Sequence, residues 1–176
     1  MVKTTWAIDP THSEIGFKVK HMMFTNVSGK FNRFQAHVEN EDNNFETSKI
    51  SFSAEVDSVD TNNSDRDNHL RSADFFDADI FPKISFTSTE IKKINDALFE
   101  ITGDLTVKNV TKSVVLETEY SGLMTDPWGN TKSGLSITGK INRKEFGLTW
   151  NAALETGGVL VGEEIKLISE IQLIKQ

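Results

Sequence analysis

Asp65–Phe86, DRDNHLRSADFFDADIFPKISF, is the stretch where the hydrophobic period of the chain changes. It opens as a polar segment with helical spacing, passes through a cluster of phenylalanines, and from Ile84 alternates as a strand. A single helical interruption in an otherwise alternating sequence reads as a lid or plug over an apolar interior. It points to a protein that holds a greasy molecule rather than one that cuts or joins molecules. The spacing predicts a helix from Asn63 to about Ala73, with Ser64 as its cap and Asp67 three positions on. Asp67 and Arg71 are spaced to pair in the favourable acid-first order, Leu70 and Ala73 should face inward, and Pro82 stops any helix before the strand.

Working outward, alternation recurs on both sides. Ile15, Phe17, Val19, His21 and Met23 share one face. A turn is expected at Asn26–Gly29, and Phe31 falls out of phase with Phe34, Ala36 and Val38, which implies a bulge. Ile50, Phe52, Ala54 and Val56 form the next apolar face. After Ile84 and Phe86 come a turn at Asn95–Asp96, then Phe99, Ile101, Gly103, Leu105 and Val107. Val114, Leu116, Thr118 and Tyr120 precede a turn at Asp126–Asn130, followed by Leu135, Ile137, Gly139 and Ile141. Ile165, Leu167, Ser169, Ile171 and Leu173 come last. Eight strands with one greasy face each must close or pack against a second sheet, and an all-β, up-and-down antiparallel barrel with a short helix near its mouth is the expected fold. Residues 1–176 read as a single domain. Such a barrel is filled by side chains or holds one small ligand. Ala36, Ala54, Ser88, Gly103, Thr118, Gly139 and Ser169 on the apolar faces favour a hollow interior; the alternative is that they accommodate neighbouring rings.

Composition excludes some functions. With 26 carboxylates against 19 Lys and Arg, the chain is poorly suited to general nucleic-acid binding. It has no cysteine, so disulfides, thiolate metal sites and Cys nucleophiles are excluded. No apolar run suits export or a membrane span, so the chain as given reads as cytoplasmic, or periplasmic if a leader has been removed. Twelve Phe against one Tyr suits a dry interior.

No metal and no cofactor other than a bound lipid is expected. His12, His21, His37 and His69 are scattered, without the HxH or HxxxH spacing that puts two ligands on one face. His12 and Ser13 are neighbours and would point to opposite faces of a strand, no GxSxG elbow exists, and Asp74, Asp77 and Asp79 read as a solvated loop edge. No catalytic residue is assigned. His21 and Arg143 lie in phase with apolar residues at strand ends, where they could snorkel to water or meet a polar head group; Arg66, His69 and Arg71 could serve the same mouth.

Six motifs in order resemble the YceI-like family of lipid- or polyisoprenoid-binding proteins: WAIDPTHSEIGFKVKH at Trp6–His21, VSGKF at Val27–Phe31, RDNHLRSADFF at Arg66–Phe76, FPKISFTS at Phe81–Ser88, GDLTVKNVTK at Gly103–Lys112 and INRKEFG at Ile141–Gly147. The resemblance implies an elongated, lipocalin-like, eight-stranded barrel with a helical segment near its opening. It also implies a long amphiphile in the bore, such as a polyisoprenoid, a quinone-like lipid or a fatty amide. The matching positions are Trp6, His12, Phe17, His21, Phe31, Asp67, His69, Leu70, Phe76, Phe86, Leu105, Arg143 and Phe146. Many relatives carry an export leader, which this chain as given does not show.

Together these readings give an expected cavity lining of Phe17, Val19, Phe31, Phe34, Phe52, Phe76, Phe86, Ile101, Leu105, Ile137, Phe146 and Leu167. The expected mouth is His21, Arg66, Asp67, His69, Arg71 and Arg143. The partner is a lipid, not nucleic acid, with no integral membrane segment; a homodimer fits the habit of barrel rims to pair. Two alternatives stand beside the carrier: an enzyme acting at the mouth through His69, Asp67 or His21, and a filled barrel serving as a partner-binding module.

Overall fold

The computed structural model describes residues 1–152, 154 and 160–176. Its strands are β1 (Lys3–Ile8), β2 (Glu14–His21), β3 (Thr25–Phe31), β4 (Phe34–Glu41), β5 (Asn44–Glu55) and β6 (Val59–Asp60), then β7 (Lys83–Lys93), β8 (Leu98–Val107), β9 (Val110–Thr125), β10 (Thr131–Asn142) and β11 (Val161–Lys175). One helix, α1 (Ser64–Arg71), separates β6 from β7. Three pairs of strands act as single bent strands. β1 runs into β2 through a turn at Pro10, β3 into β4 through Asn32–Arg33, and β5 into β6 through Val56–Ser58. Counted this way, the sheet is an eight-stranded antiparallel meander, closed where β11 meets the first strand.

Closure is divided. β11 pairs with β10 along one edge, while its other edge takes β2 from Val161↔His21 to Glu170↔Glu14, then β1 from Leu173↔Ile8 to Lys175↔Trp6. The bend at Pro10 lets one chain segment serve both. Pro brings no N–H to a ladder, and the Asp9 carboxylate accepts the Thr11 N–H at 3.0 Å to hold the turn.

The N-terminal strand β1 was not among the eight segments expected, because its Thr4–Trp6–Ile8 face is short and half polar. Asn26–Gly29 is strand, not turn: Gly29 lies opposite Phe17, whose ring fills the space a Cβ would need. The hairpin turns instead at Met22–Phe24, with φ of 52° at Met22 and 63° at Met23, so Met23 leaves the inward face. The shift in phase between Phe31 and Phe34 is real and falls at Asn32–Arg33, between strands.

α1 is shorter than expected and is capped by Asn63, whose side chain accepts the Arg66 N–H at 3.0 Å; Ser64 is its first residue. The Asp67–Arg71 pair does not form. Asp67 turns back to accept from the Thr61 N–H (2.8 Å) and Oγ1 (2.5 Å), while Arg71 donates to the carbonyls of Asp57 and Val59 at 3.1 and 3.2 Å. These bonds fasten the helix to the strand before it. Leu70 packs on the core, but Ala73 is exposed.

The end of the barrel away from α1 is packed solid. Phe45 stacks on Tyr120 at 4.6 Å, and Phe99 stands edge-on to both. Beside them Trp6, 2% exposed, donates its Nε1–H to Asn40 at 3.1 Å. Burial raises the Tyr120 hydroxyl above its ordinary pKa. The β9–β10 turn lies at the same end and is organised by one carboxylate. Asp126 accepts from the backbone of Trp128 and Asn130, from the Asn130 side chain, and from Lys132 at 3.2 Å. Desolvation pushes its pKa up, but these donors outweigh it and hold the group at about 2. A depressed folded-state pKa contributes stability that is complete above the unfolded value of ~3.9 and is lost as pH falls through the folded one. Asp126→Asn should therefore lower Tm at neutral pH, and thermal scans should show wild type and variant converging as pH drops from about 4 to about 2.

Candidate functional site

The closed sheet leaves a cavity of about 710 Å³, within the range that holds a small amphiphile. It runs from the α1 end, where His21, Arg66, His69 and Trp150 stand at its rim, to Val38, Leu135 and Leu173, beyond which the aromatic packing begins. Of the expected lining, Phe17, Val19, Phe31, Phe52, Phe76, Phe86, Ile101, Leu105, Ile137 and Leu167 face it. Phe34 and Phe146 do not. Phe34 keeps the inward phase of Ala36 and Val38 but sits at the Arg33 bend, against an outer cleft with Pro10. Phe146 belongs to the turn Arg143–Phe146 and is fully buried in packing below the rim.

The small inward residues divide. Ala36, Ala54 and Ser169 border the cavity. A Cβ on Gly103 would collide with the Phe86 ring, and one on Gly139 would lie 2.6 Å from Leu116 Cδ2, so these glycines admit neighbouring side chains instead. Ser88 accepts the Ile50 N–H at 2.8 Å, and Thr118 is wholly buried. The hollow thus comes from some of the small residues and not others. A bore of this size sets aside the filled-barrel alternative.

The mouth is built by α1, the loop after it, and Leu148, Trp150 and Leu160 between β10 and β11. Arg66 is fixed by Thr61, through Nε to Oγ1 at 2.7 Å and Nη2 to the carbonyl at 2.6 Å. His69 is held at Nε2 by Asp74 at 2.9 Å, with the rings of Trp150 and Phe75 edge-on to it at 4.7 and 5.0 Å. Phe76 meets Phe31 at 6.0 Å and so ties the loop to the wall. Sequence reading passed over Trp150, which lies in an irregular segment where no period marks which side is inward; Phe75 was seen only as part of the phenylalanine cluster.

Three expected mouth residues have other work. Asp67 and Arg71 hold α1 to the strand before it and stand off the cavity. Arg143 reaches the cavity wall but is only 2% exposed. Its guanidinium donates to four carbonyls: Gly162 (2.8 Å), Leu148 (2.6 Å), Trp150 (2.9 Å) and Val161 (3.3 Å). Burial lowers its pKa from the ordinary arginine value. It ties Leu148 and Trp150 to the start of β11, and a head group would find few donors left on it.

Among the described residues, no three His, Asp or Glu side chains converge as metal ligands. No hydrogen bond links His21, Asp67 and His69 to one another: Asp67 is taken by Thr61 and His69 by Asp74. His12 pairs with Asp9 and His37 with Glu39, both at exposed positions. No helix among the described residues is long and apolar enough to cross a membrane.

A family model described as a YceI-like domain matches residues 6–173. A UPF0312 protein of Staphylococcus aureus strain USA300 is 38% identical over 164 residues, covering 93% of each chain. The crystal structure of a Campylobacter jejuni YceI protein superposes with a TM-score of 0.69 at 33% identity, over 85% of this chain and 88% of that one. A polyisoprenoid binding domain from Saccharophagus degradans superposes with a TM-score of 0.69, over 96% of this chain and 97% of that one, and at 10% identity shows likeness of fold.

The Arg143 geometry is testable. Arg143→Ala strips four buried carbonyls of a charged donor and should cost at least about 3 kcal/mol in urea unfolding. Arg143→Lys, with three donors on a point charge in place of a planar fork, should recover less than half of that loss.

Proposed function

The chain belongs to the YceI-like domain family, and from that footing we propose that it binds one long amphiphile, tail inward, as a carrier or sequestering protein rather than an enzyme. The observation that carries the reading is the cavity: deep, walled by hydrocarbon, shut at one end and polar at the other. Burying each methylene contributes about 0.8 kcal/mol, so roughly ten of them offset about 8 of the ~4–15 kcal/mol that association costs. Recognition then needs few polar contacts. Walls of Phe, Ile and Leu discriminate weakly between similar chains, so tail chemistry is loosely specified: polyisoprenoid, isoprenoid quinone or fatty amide. The fold neighbour described as a polyisoprenoid binding domain supports the reading through architecture alone.

Head selection falls to the rim. His21, Arg66 and His69 stand there with Asn63 and Thr61, against Asp65. In a protein of net charge −7, this local cluster of donors favours an acceptor-rich or anionic head. His69 and Asp74 are a fixed pair, and the nearby Ser72 hydroxyl donates to the His69 carbonyl at 2.6 Å and not to its ring, which supports binding over turnover.

Native mass spectrometry and organic extraction of protein purified gently from its own host should reveal a long-chain lipid at about one per protein. Repeated absence of lipid, together with no uptake of a fluorescent fatty-acyl probe, sinks the proposal. Ala36→Trp projects a ring into the bore from a position with open space beside it. It should leave the fold intact by circular dichroism while weakening probe uptake about tenfold or more.

A further inference from the structure

The hairpin between β2 and β3 ends in three consecutive apolar side chains that cover nothing. Met22 is 43% exposed, Met23 60% and Phe24 85%. The tip is held in shape: Met22 N–H donates to the Leu160 carbonyl at 2.8 Å and Phe24 N–H to the His21 carbonyl at 3.2 Å. It rises directly from His21, so it stands beside the mouth of the cavity. Contiguous exposed apolar side chains mark a contact surface, and here the surface is convex and narrow.

Behind the tip the outer wall carries a row of lysines, with Glu164 and the Lys144-paired Glu163 on β11 between that row and the mouth. Lys18 pairs directly with Lys166 on β11, and Lys166 with Lys140 on β10, so three exposed lysines lie side by side across three strands. Lys140 has only a 3.9 Å contact with Glu164. Among the described residues, Lys18, Lys20 and Lys166 make no salt bridge. Like charges directly opposite one another destabilise a sheet, and the protein as a whole is acidic, so this row does not serve stability. Lys20 lies about 7 Å behind the tip and Lys18 about 13 Å, at ~3.3 Å per residue. That places the first at head-group depth when the tip is inserted, and the row within about one Debye length of the surface.

We propose that the Met22–Phe24 tip and the Lys18–Lys166–Lys140 row dock the mouth of the barrel on a bilayer containing anionic lipid. The apolar tip enters the acyl boundary while the lysines meet the head groups, which is the division of labour of an interfacial anchor. A second copy of the chain is a poorer occupant. A two-fold contact at the tip would bring two lysine rows together, and three side chains fall far short of the ~800 Å² per partner of a stable interface. The purpose of docking rests on the carrier reading, since a tail leaving the mouth would enter the bilayer without crossing water; its test does not.

The test is flotation of the full chain with vesicles of phosphatidylcholine alone and of phosphatidylcholine with phosphatidylglycerol in equal parts. Association with the mixed vesicles is expected, about tenfold weaker with phosphatidylcholine alone, and weakened by salt. Phe24→Glu should abolish it and Lys18→Glu/Lys166→Glu should reduce it about tenfold, with circular dichroism unchanged because these positions are exposed. No association with mixed vesicles, equal association with both kinds, or association that survives Phe24→Glu overturns the proposal. So does a tip-dependent dimer in sedimentation without vesicle binding. Extracting the same samples separates the two readings. Phe24-dependent flotation of a protein free of lipid keeps docking and removes the carrier, whereas lipid in the bore of a protein that ignores vesicles does the reverse.

Discussion

Everything in this fold depends on β11 having two different partners on one edge. A sheet with one apolar face has to close, and closure gives both of its edge strands a partner. A strand of constant direction could serve that edge only over part of its length. The bend at Pro10 solves this by dividing the first strand into β1 and β2, so the seam is paired over Ile165–Glu170 by one and over Leu173–Lys175 by the other, with an isolated pair at Val161. The corresponding bends at Asn32–Arg33 and Val56–Ser58 follow, since neighbours must bend together to stay paired. Where the third bent strand runs out, after only two residues of β6, the wall has a gap, and α1 occupies it. The helix is thus a consequence of closure as well as the frame of the mouth.

Much of this was legible because inward residues repeat with period two and the turns at Asn95–Asp96 and Asp126–Asn130 declare themselves. Long strands such as β8 and β11 offered four or five matching positions each. β1 offered a Thr, a Trp and an Ile, too few to stand out, and β3 was hidden by Gly29, which looks like a turn residue until the Phe17 ring above it is seen. The size of one residue says nothing about where its neighbour leans, which is why Ala36 opens the bore while Gly103 only makes room for Phe86.

The mouth was harder to read than the wall. Arg143 is in phase with apolar residues, as a gating group would be, yet two of its acceptors, Leu148 and Trp150, lie in an irregular segment, and the other two, Val161 and Gly162, lie at the start of β11, before its apolar alternation begins at Ile165. Asp67 and Arg71 sit at helix-pairing distance in sequence, but each found backbone or hydroxyl partners upstream that a linear spacing cannot show. Arg66 and His69 do stand at the rim, because the face of α1 that carries them is also the face that carries Leu70. Local rules succeeded where one element decided the outcome and failed where several met.

The stacked rings of Phe45, Tyr120 and Phe99 make the bore a cul-de-sac. Among the described residues the bore opens at the α1 end, so insertion and withdrawal there follow one path in opposite order. On the carrier reading, a molecule with unlike ends is parked the same way round each time, and its polar terminus is the part that a recipient would meet first.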